Sequence, residues 1–377
     1  MLDSAILNTP SARNIRVSTK MDRDDDPGAS AGAPSAAAPR RTARRATGRI
    51  TLDDVARAAG VSAITASRAL RGTRGVDPAL TERVQAAASH LGYVPDPAAR
   101  ALASAHSQHV AVLIPMLSNT LFVELLESVQ RTLTPAGYQT LIGVTHYRAD
   151  EEEALLRSYL AHRPAGLLLT GFDRTPAAQA LVDHCGLPCV HMMETREAAG
   201  IHSVGFSQQA AGRAITEHLL SRGRRRIAYV AGQMDPRVMQ RADGWRAALR
   251  AAGCHDPALE LMDPAPTSMA LGGRLFRELM ARHPDVDAIF FCNDDLAQGA
   301  SLAALRMGIE VPRQVALAGF NDLDGSDQMI PPLTSVRTPR AEVGAQAASL
   351  LLSLMRGQQG MRATVDVGFE LVVRQSS

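Results

Sequence analysis

The chain has 377 residues, of which 46% are hydrophobic and 21% charged, a balance typical of water-soluble globular proteins. This length exceeds one ordinary hydrophobic core and indicates two or three domains. No apolar run reaches the roughly 18 residues that a membrane span requires, and the N-terminal sequence MLDSAILNTPSARN lacks the pattern of a secretion signal. These features disfavour a membrane or secreted protein, and we predict a cytoplasmic location.

The positive charge is concentrated in one part of the chain, although the net charge is only +2. Residues 40–100 hold eleven arginines and five acids, a balance of +6, whereas residues 1–39 come to −1 and residues 101–377 to −3. A basic segment beside a mildly acidic body is typical of a protein that binds a polyanion. A solvated surface would have the same charge, so charge alone leaves both interpretations open.

The four cysteines indicate free thiols. Cys185 and Cys189 have a CxxxC spacing, and no nearby cluster of His or Cys completes a zinc site. We therefore predict buried free thiols, no bound metal and no other cofactor.

In chain order, residues 1–47 are rich in Ala, Ser, Pro, Arg and Asp without periodicity, which predicts a disordered extension. Three short helices follow. Thr51 and Asp54 approximate a capping box for the first helix, Gly60 ends it, Ser62 caps the second, and Gly92 ends the third. Neither of the first two helices would be stable alone, so a fixed mutual packing is expected.

Two short helices joined through AGVS and followed by a third indicate a helix-turn-helix unit. Its second helix, residues 62–70, would lie in the major groove of DNA. Arg68 and Arg71 suit that placement, because arginine pairs with guanine edges or phosphates. The alternative is an ordinary helical hairpin within a larger core.

From residue 108 onward, apolar runs alternate with helical patterns. Continuous apolar strands separated by helices indicate parallel sheets covered on both faces, and a break near the middle predicts two of them. Ligands of such sheets bind beyond the carboxyl ends of the strands. The candidate strands are HVAVLIP, QTLIGV, GLLLTG, LPCVHMM, HSVGF, RIAYVAG, DAIFFCN and VALAGF.

Side chains near these strand ends are candidates for contact with a ligand. Amide and guanidinium groups bind hydroxyls well, and two arginines four apart on a helix suit a carboxylate. Other interpretations stay open for some of these residues. The arginines would then form surface ion pairs, Phe206 would belong to the hydrophobic core, and Glu194 would be an ordinary loop residue. Asp294 is predicted to cap the following helix. The candidate ligand-binding residues are Asn119, Phe122, Glu194, Phe206, Arg237, Arg241, Asn293 and Asn321.

This order of motifs resembles the lactose-repressor (LacI/GalR) family of bacterial regulators. The resemblance runs through TLDDVARAAGVSAITASRALRG, ERVQAAASHLGYVPDPAARAL and VAVLIPMLSNTLFVELLESV, and it covers residues 51 to about 375. It implies a small all-α helix-turn-helix headpiece and an α/β body of two lobes, similar to periplasmic binding proteins and built on parallel sheets. The implied divisions are an N-terminal extension (1–47), the headpiece (48–93), a hinge helix or linker (94–107) and an effector-binding and dimerisation domain (108–377).

The resemblance also implies roles for residues of the headpiece. Ala63, Ile64 and Arg68 fall at positions that read bases, and Leu102 falls at the hinge leucine that enters the minor groove. Ser62, Thr65 and Ser67 fall at phosphate-contacting or capping positions. The predicted DNA-binding residues are Thr51, Ser62, Ala63, Ile64, Thr65, Ser67, Arg68, Arg71 and Leu102.

Several stretches are closer still to the gluconate-utilisation repressor branch, among them GYQTLIG, LPCVHMMETR, VGFSQQAAGRAI and VPRQVALAGFND. The resemblance implies a homodimer that represses by binding a pseudo-palindromic double-stranded operator, with an affinity switched by a small sugar-type effector. The family often has Asp where this chain has Asn321. The missing charge and the arginine pair favour a sugar acid such as gluconate or a keto-gluconate.

Two alternatives belong to other classes of protein. The first is a carbohydrate enzyme with an appended DNA-binding domain. The sequence has no GxxxxGK[ST] loop, no GxGxxG after a strand, no HExxH and no GxSxG, and CNDD lacks a spaced partner for a metal. We therefore predict no catalytic residues. The second is a sugar-binding transport protein, which the basic headpiece and the absence of a signal sequence disfavour.

Overall fold

The computed structural model describes residues 50–72, 75–95, 107–358, 360 and 362–377. The predicted N-terminal extension, residues 1–47, and the hinge residue Leu102 lie outside these ranges. Internal contacts divide the chain between Val94 and Pro95 into two compact units, the headpiece and the body.

The headpiece contains three helices, α1 (Leu52–Ala58), α2 (Ala63–Leu70) and α3 (Pro78–Leu91). The predicted capping box forms in both directions, because the Thr51 hydroxyl accepts the N–H of Asp54 and the Asp54 carboxylate accepts the N–H of Thr51. Small side chains let the three helices pack closely. The buried core consists of Val55, Ala56, Ala59, Ala66, Ala69, Val84 and Ala88.

The body contains the two predicted sheets, and each has six strands. The first lobe has β1 (His109–Ile114), β2 (Gln139–Val144), β3 (Gly166–Thr170), β4 (Cys189–Met192), β5 (Ser203–Gly205) and β11 (Thr364–Asp366). Its order is β11-β5-β4-β3-β1-β2, and neighbouring strands are parallel. The second lobe has β6 (Ile227–Gly232), β7 (Glu260–Asp263), β8 (Ala288–Phe291), β9 (Ala316–Asn321), β10 (Thr334–Arg337) and β12 (Glu370–Val372). Its order is β12-β10-β9-β8-β6-β7, with β12 antiparallel to β10.

Helices cover both sheets. The first lobe has α4 (Thr120–Leu133), α5 (Ala149–Ala161) and α6 (Pro176–His184), and the second has α7 (Gln208–Ser221), α8 (Pro236–Ala251), α9 (Met269–Arg282) and α10 (Asp294–Met307). The last helix, α11 (Arg340–Met355), follows a strand of the second lobe but packs against α4 in the first. The predicted headpiece and two-lobe α/β body are therefore confirmed.

A close crossing of α7 and α8 depends on two glycines, Gly212 and Gly244. A Cβ atom on Gly244 would lie 2.6 Å from the backbone nitrogen of Arg213, which is inside van der Waals contact. The two helix backbones therefore touch, and this contact brings Arg241 of α8 against Gln208 at the start of α7.

The thiols and the metal-ligating side chains suggest no separate chemistry. The four cysteines are free, but only Cys292 is fully buried, which corrects the expectation that all four are. Burial raises the pKa of Cys189 and of Cys292 to about 12, so both stay protonated at neutral pH. The described residues contain no group of three His, Cys, Asp or Glu placed to hold a metal ion. Within the same residues, no helix is long and apolar enough to cross a membrane.

Candidate DNA-binding and effector sites

Helix α2 presents an exposed row of side chains. Ile64 is 74% exposed, and Arg68 and Arg71 are exposed four and seven positions later on the same side of the helix. In the major groove, an apolar side chain can contact a thymine methyl, and the arginines can pair with guanine or phosphate. This row has the composition that major-groove recognition requires.

The polar residues at the helix starts are partly engaged in holding the helices. Ser62 Oγ accepts the N–H of Thr65 at 3.1 Å and lies 2.8 Å from Thr65 Oγ1. Arg71 Nε donates to the carbonyl of Ser67 at 3.1 Å. The guanidinium of Arg68 has no ion-pair or hydrogen-bond partner among the residues that the structure describes. Arg68 is therefore available to a base edge.

In the body, a narrow cleft lies between the two lobes at the carboxyl ends of their strands. The first lobe forms one wall with residues that follow β1, β2 and β4. The second lobe forms the other wall with residues that follow β6, β7 and β8 and with the last residue of β9. Six of the eight candidate residues line it, namely Asn119, Phe122, Arg237, Arg241, Asn293 and Asn321. This is the location at which open parallel sheets bind ligands.

Arg241 contributes a buried positive charge to this cleft. It is 7% exposed, and its Nε donates to Gln208 Oε1 at 2.8 Å while its Nη1 donates to the Cys292 carbonyl at 2.6 Å. The guanidinium carbon lies 3.9 Å from the centroid of the Phe320 ring. These partners fix the side chain without neutralising it, because none of them is a carboxylate.

Arg237 lies in a different electrostatic setting. It is 5% exposed, its Nε lies 3.2 Å from Asp235 Oδ1, and its Nη1 lies 3.6 Å from Asp173 Oδ1. Burial alone would lower its pKa, but Asp235, Glu194 and Asp173 outweigh burial and raise it. Nη1 is buried and forms no hydrogen bond among the described residues. Arg237 is therefore largely compensated but keeps one donor for a ligand.

Two asparagines face the same cleft from the second lobe. Asn293 Oδ1 accepts the N–H of Leu296 at 3.1 Å and so caps α10. Asn321 adopts a φ of +103°, a conformation that costs free energy in a non-glycine residue and is common at functional sites. Its Oδ1 is buried without a hydrogen-bond partner among the described residues. Arg340 donates to the Asn321 carbonyl at 2.6 Å and holds this backbone in place.

Polar contacts join the lobes across the cleft. Gln240 Nε2 donates to Glu194 Oε1 at 3.3 Å, and Asn119 Nδ2 donates to Asp295 Oδ2 at 3.4 Å. The Arg237–Asp173 pair is a third such contact. The cavity has a volume of about 40 Å³ within about 490 Å³ of empty space that includes solvent at its open side. A six-carbon ligand therefore needs the two walls to move apart.

Two residues are placed differently from the prediction. Phe206 does not line the cleft, because it is 1% exposed and its ring packs 6.4 Å, centroid to centroid, from those of Phe320 and Phe369. Glu194 is not among the lining residues; it accepts a hydrogen bond from Gln240, and burial raises its pKa.

The prediction that Asp294 caps α10 is wrong. Asn293 is the cap, and Asp294 is the first helical residue, where it is fully buried. It accepts hydrogen bonds from the Leu323 N–H at 2.6 Å and from the Ser335 hydroxyl at 2.7 Å, and so anchors the loop after Asn321.

Sequence reasoning also missed seven lining residues, namely Leu121, Tyr147, Met193, Gln233, Asp235, Val238 and Thr267. Asp235 had a detectable signal, since an Asp before Pro236 is a common start of a helix. Tyr147 follows β2 with a φ of +59°. Nothing in the local sequence indicates that turn.

Comparisons with known proteins agree with this geometry. Residues 51–96 match the family "Bacterial regulatory proteins, lacI family", and residues 216–377 match "Periplasmic binding protein-like domain". The HTH-type transcriptional regulator GntR of Pseudomonas aeruginosa is 55% identical over 333 residues, which cover 88% of this chain and 97% of that protein. The chain belongs to the LacI family of bacterial regulators. It is a helix-turn-helix transcriptional regulator with an effector-binding body.

Solved structures give the same result at the level of coordinates. A LacI-family transcriptional regulator from Silicibacter pomeroyi has a TM-score of 0.82 and 33% identity, covering 87% of this chain and 99% of that one. Transcription regulator GntR from Chromobacterium violaceum has 49% identity and a TM-score of 0.70, covering 71% of this chain and 99% of that one. The similarity therefore extends through the whole body of this LacI-family chain.

Proposed function

We propose that this LacI-family regulator is a homodimeric repressor of sugar-acid utilisation genes. In this proposal its operator affinity is switched by a sugar acid, gluconate or a keto-gluconate, bound in the cleft between the lobes. The observation that carries it is Arg241, a buried cation with no carboxylate partner, in a cleft that also holds the amide groups of Asn293 and Asn321.

The charge of the cleft favours an anionic ligand over a neutral sugar. A buried charge is stable only when it is paired or strongly hydrogen-bonded, and Arg241 has only an amide oxygen and a carbonyl as partners. A ligand carboxylate would complete its coordination. The amide of Asn321 and the free N–H of Arg237 would then bind hydroxyl groups along the chain of the ligand.

The headpiece supports the DNA-binding part of the proposal. Ile64 and Arg68 are exposed on α2, whereas the residues behind them are buried alanines that fix the helix on the core. We assign base contacts to Ala63, Ile64 and Arg68, and phosphate contacts to Arg71. Leu102 keeps its predicted role at the minor groove, a role that the described residues do not address.

The dimer is supported by exposed apolar side chains of the second lobe. Leu305 and Met307 at the end of α10 are 61% and 45% exposed, and Ile330 is 77% exposed. Large apolar side chains that are exposed in a soluble domain are candidates for an interface with another chain. We expect sedimentation equilibrium to give a dimer, and Leu305→Glu combined with Ile330→Glu to shift it toward monomer. A strictly monomeric wild-type protein would contradict the dimer.

The effector is tested by calorimetric titration of the full chain with gluconate and, as a neutral sugar of the same carbon number, glucose. We expect gluconate to bind and glucose to bind at least tenfold more weakly. Arg241→Gln should abolish the preference for the acid, whereas Arg250→Gln, an exposed arginine on the same helix, should leave it unchanged. Binding of glucose without binding of any aldonate would refute a sugar-acid effector.

DNA binding is tested by footprinting on the regions upstream of sugar-acid utilisation genes. Arg68→Ala should weaken binding to the specific operator by about 1–3 kcal/mol and relax specificity at one base pair. Arg83→Ala, an exposed arginine on α3, serves as the matched control. An unchanged footprint for Arg68→Ala would contradict its assignment to a base.

We infer further that the chain has no catalytic activity of its own and works in the cytoplasm, where its DNA target is. The rival is a carbohydrate enzyme with an appended DNA-binding headpiece. Incubation with gluconate and either ATP or NAD separates the two, because the regulator leaves the sugar acid unchanged and the enzyme converts it. We also propose that headpiece, linker and body divide as 48–93, 94–107 and 108–377.

A further inference from the structure

A second and larger cavity lies in the first lobe, at the end of the sheet opposite to the effector cleft. Its volume is about 860 Å³, against about 40 Å³ for the cleft. Ser107, Tyr138, Ala165 and Pro188 line it, and each immediately or closely precedes one of the strands β1 to β4. The cleft lies at the carboxyl ends of the same strands, so the two cavities share no lining residue.

The walls of this cavity are mainly apolar. The last turns of α5 contribute Leu160, and α6 contributes Ala177, Ala180 and Leu181. These side chains are small or branched and form an apolar wall of the cavity. The volume lies within the range of about 300–1,000 Å³ that binds small organic molecules.

Two arginines and a histidine lie among the polar residues at the rim. The lining includes Arg157, Arg163 and His184, and none of the described lining residues is Asp or Glu. Arg157 pairs with Glu153 at 2.8 Å and is 57% exposed, so it is partly neutralised. The Arg163 guanidinium forms no ion pair or hydrogen bond with any residue described in the structure. The Nδ1 atom of His184 lies 2.7 Å from the Ala180 carbonyl oxygen, so Nε2 is available to another partner.

Arg163 is also held in an unusual conformation. Its φ is +49°, in the left-handed region that a non-glycine residue seldom adopts, and its N–H donates to the Leu160 carbonyl at 3.0 Å. The adjoining Pro164 is buried. The backbone therefore fixes the direction in which the Cα–Cβ bond of Arg163 leaves the rim.

We propose that this cavity is a second ligand site, for a small organic anion with an apolar body, such as an aromatic carboxylate or sulfonate. The apolar part lies between α5 and α6 against Leu160 and Leu181, and the acid group binds the Arg163 guanidinium. The chemistry differs from that of the effector cleft, whose amides suit a polyhydroxylated ligand. The site does not depend on the identity of the effector.

The test is calorimetric titration of the full chain with naphthalene-2-sulfonate, and with 2-naphthalenemethanol as a neutral compound of similar shape. We expect saturable binding of the sulfonate that excess gluconate does not displace. Arg163→Gln should weaken it at least fivefold, whereas Arg131→Gln, a 74% exposed arginine in the same lobe, should have no effect.

A second variant tests the location independently of charge. Ala180→Trp places a large side chain at an exposed position that lines the cavity, and we expect at least a tenfold loss of sulfonate affinity with the melting temperature unchanged. Equal binding of the neutral alcohol, displacement by gluconate, or full affinity in both Arg163→Gln and Ala180→Trp would overturn the proposal. Displacement by gluconate would place the probe in the cleft and leave the proposed effector intact.

Discussion

Asp294 anchors the loop that follows Asn321, and its protonation makes stability depend on pH. The carboxyl group is fully buried and accepts hydrogen bonds from Leu323 N–H at 2.6 Å, the Ser326 hydroxyl at 3.0 Å and the Ser335 hydroxyl at 2.7 Å. Burial raises the pKa of Asp294 from 3.8 to about 7, although these three donors act in the opposite direction. The folded protein therefore binds a proton that the unfolded chain releases.

The sign and size of the effect follow from this difference. A folded-state pKa above the unfolded value contributes stability that is complete below about pH 4 and is lost as the pH rises through about 7. At about 1.36 kcal/mol per pKa unit, the loss at this site between pH 5 and pH 8 is about 2–3 kcal/mol. Opposing contributions from other groups overlap this window, so the effect has to be isolated by a variant.

Asp294→Asn is that variant, because an amide does not titrate. Its oxygen can accept from Leu323 and Ser326, and its NH₂ can donate to the Ser335 hydroxyl, so the hydrogen bonds survive. We expect the stability of the variant relative to the wild type, measured by urea unfolding, to increase by about 2–3 kcal/mol from pH 5 to pH 8. Glu342→Gln, an exposed carboxyl in α11, should show no such trend. A relative stability that is independent of pH, or that falls as the pH rises from 5 to 8, would refute the reasoning.

Three further substitutions test the packing that positions the two sites. Gly244→Ala forces α7 and α8 apart, so the free energy of unfolding measured in urea should fall by about 1–3 kcal/mol and gluconate binding should weaken. Gly273→Ala is the control, because its Cβ would meet no atom nearer than 3.2 Å. Ser62→Ala removes the cap of α2 and should lower headpiece stability in thermal melts by about 0.5–2 kcal/mol, with a Ser-to-Asp change at the same position retaining it. Arg174→Gln leaves Glu152 buried without the guanidinium that lies 2.8 Å from it, and the free energy of unfolding should fall by about 3–5 kcal/mol. Adding Glu152→Gln should recover part of this loss. Full stability of the single variant would contradict the assigned pair.

The fold was largely predictable because its signals are local. Eight continuous apolar runs mark eight of the strands, and capping residues such as Ser62 mark helix starts. Four strands were missed, β7, β10, β11 and β12, and each has only three or four residues. Thr364–Asp366 and Glu370–Val372 have three residues each and no apolar run, because they join the sheets at their edges. Their pairing depends on long-range contacts that a local pattern does not contain.

The site was predictable in outline but not in its electrostatics. Strand ends located Asn293 and Asn321, and the helical spacing placed Arg237 and Arg241 on one face. The sequence does not show that Asp173, far earlier in the chain, reaches Arg237 across the cleft. It also does not show on which side of the sheet a strand-end residue falls. Phe206 was expected at the ligand for that reason, and it packs in the core instead.

The contacts between the lobes define what an effector has to do. The Arg237–Asp173 and Gln240–Glu194 contacts hold the walls of the cleft together, so a ligand that enters must replace them with contacts of its own. A neutral sugar offers hydroxyls for these lost hydrogen bonds but nothing for the charge of Arg241. A sugar acid offers both, and its differential affinity for the two lobe arrangements sets the coupling to DNA, typically about 1–3 kcal/mol. We therefore propose that Arg241 discriminates between acid and sugar and that Arg237 and Gln240 carry the coupling, and separate variants at these positions should divide the two properties.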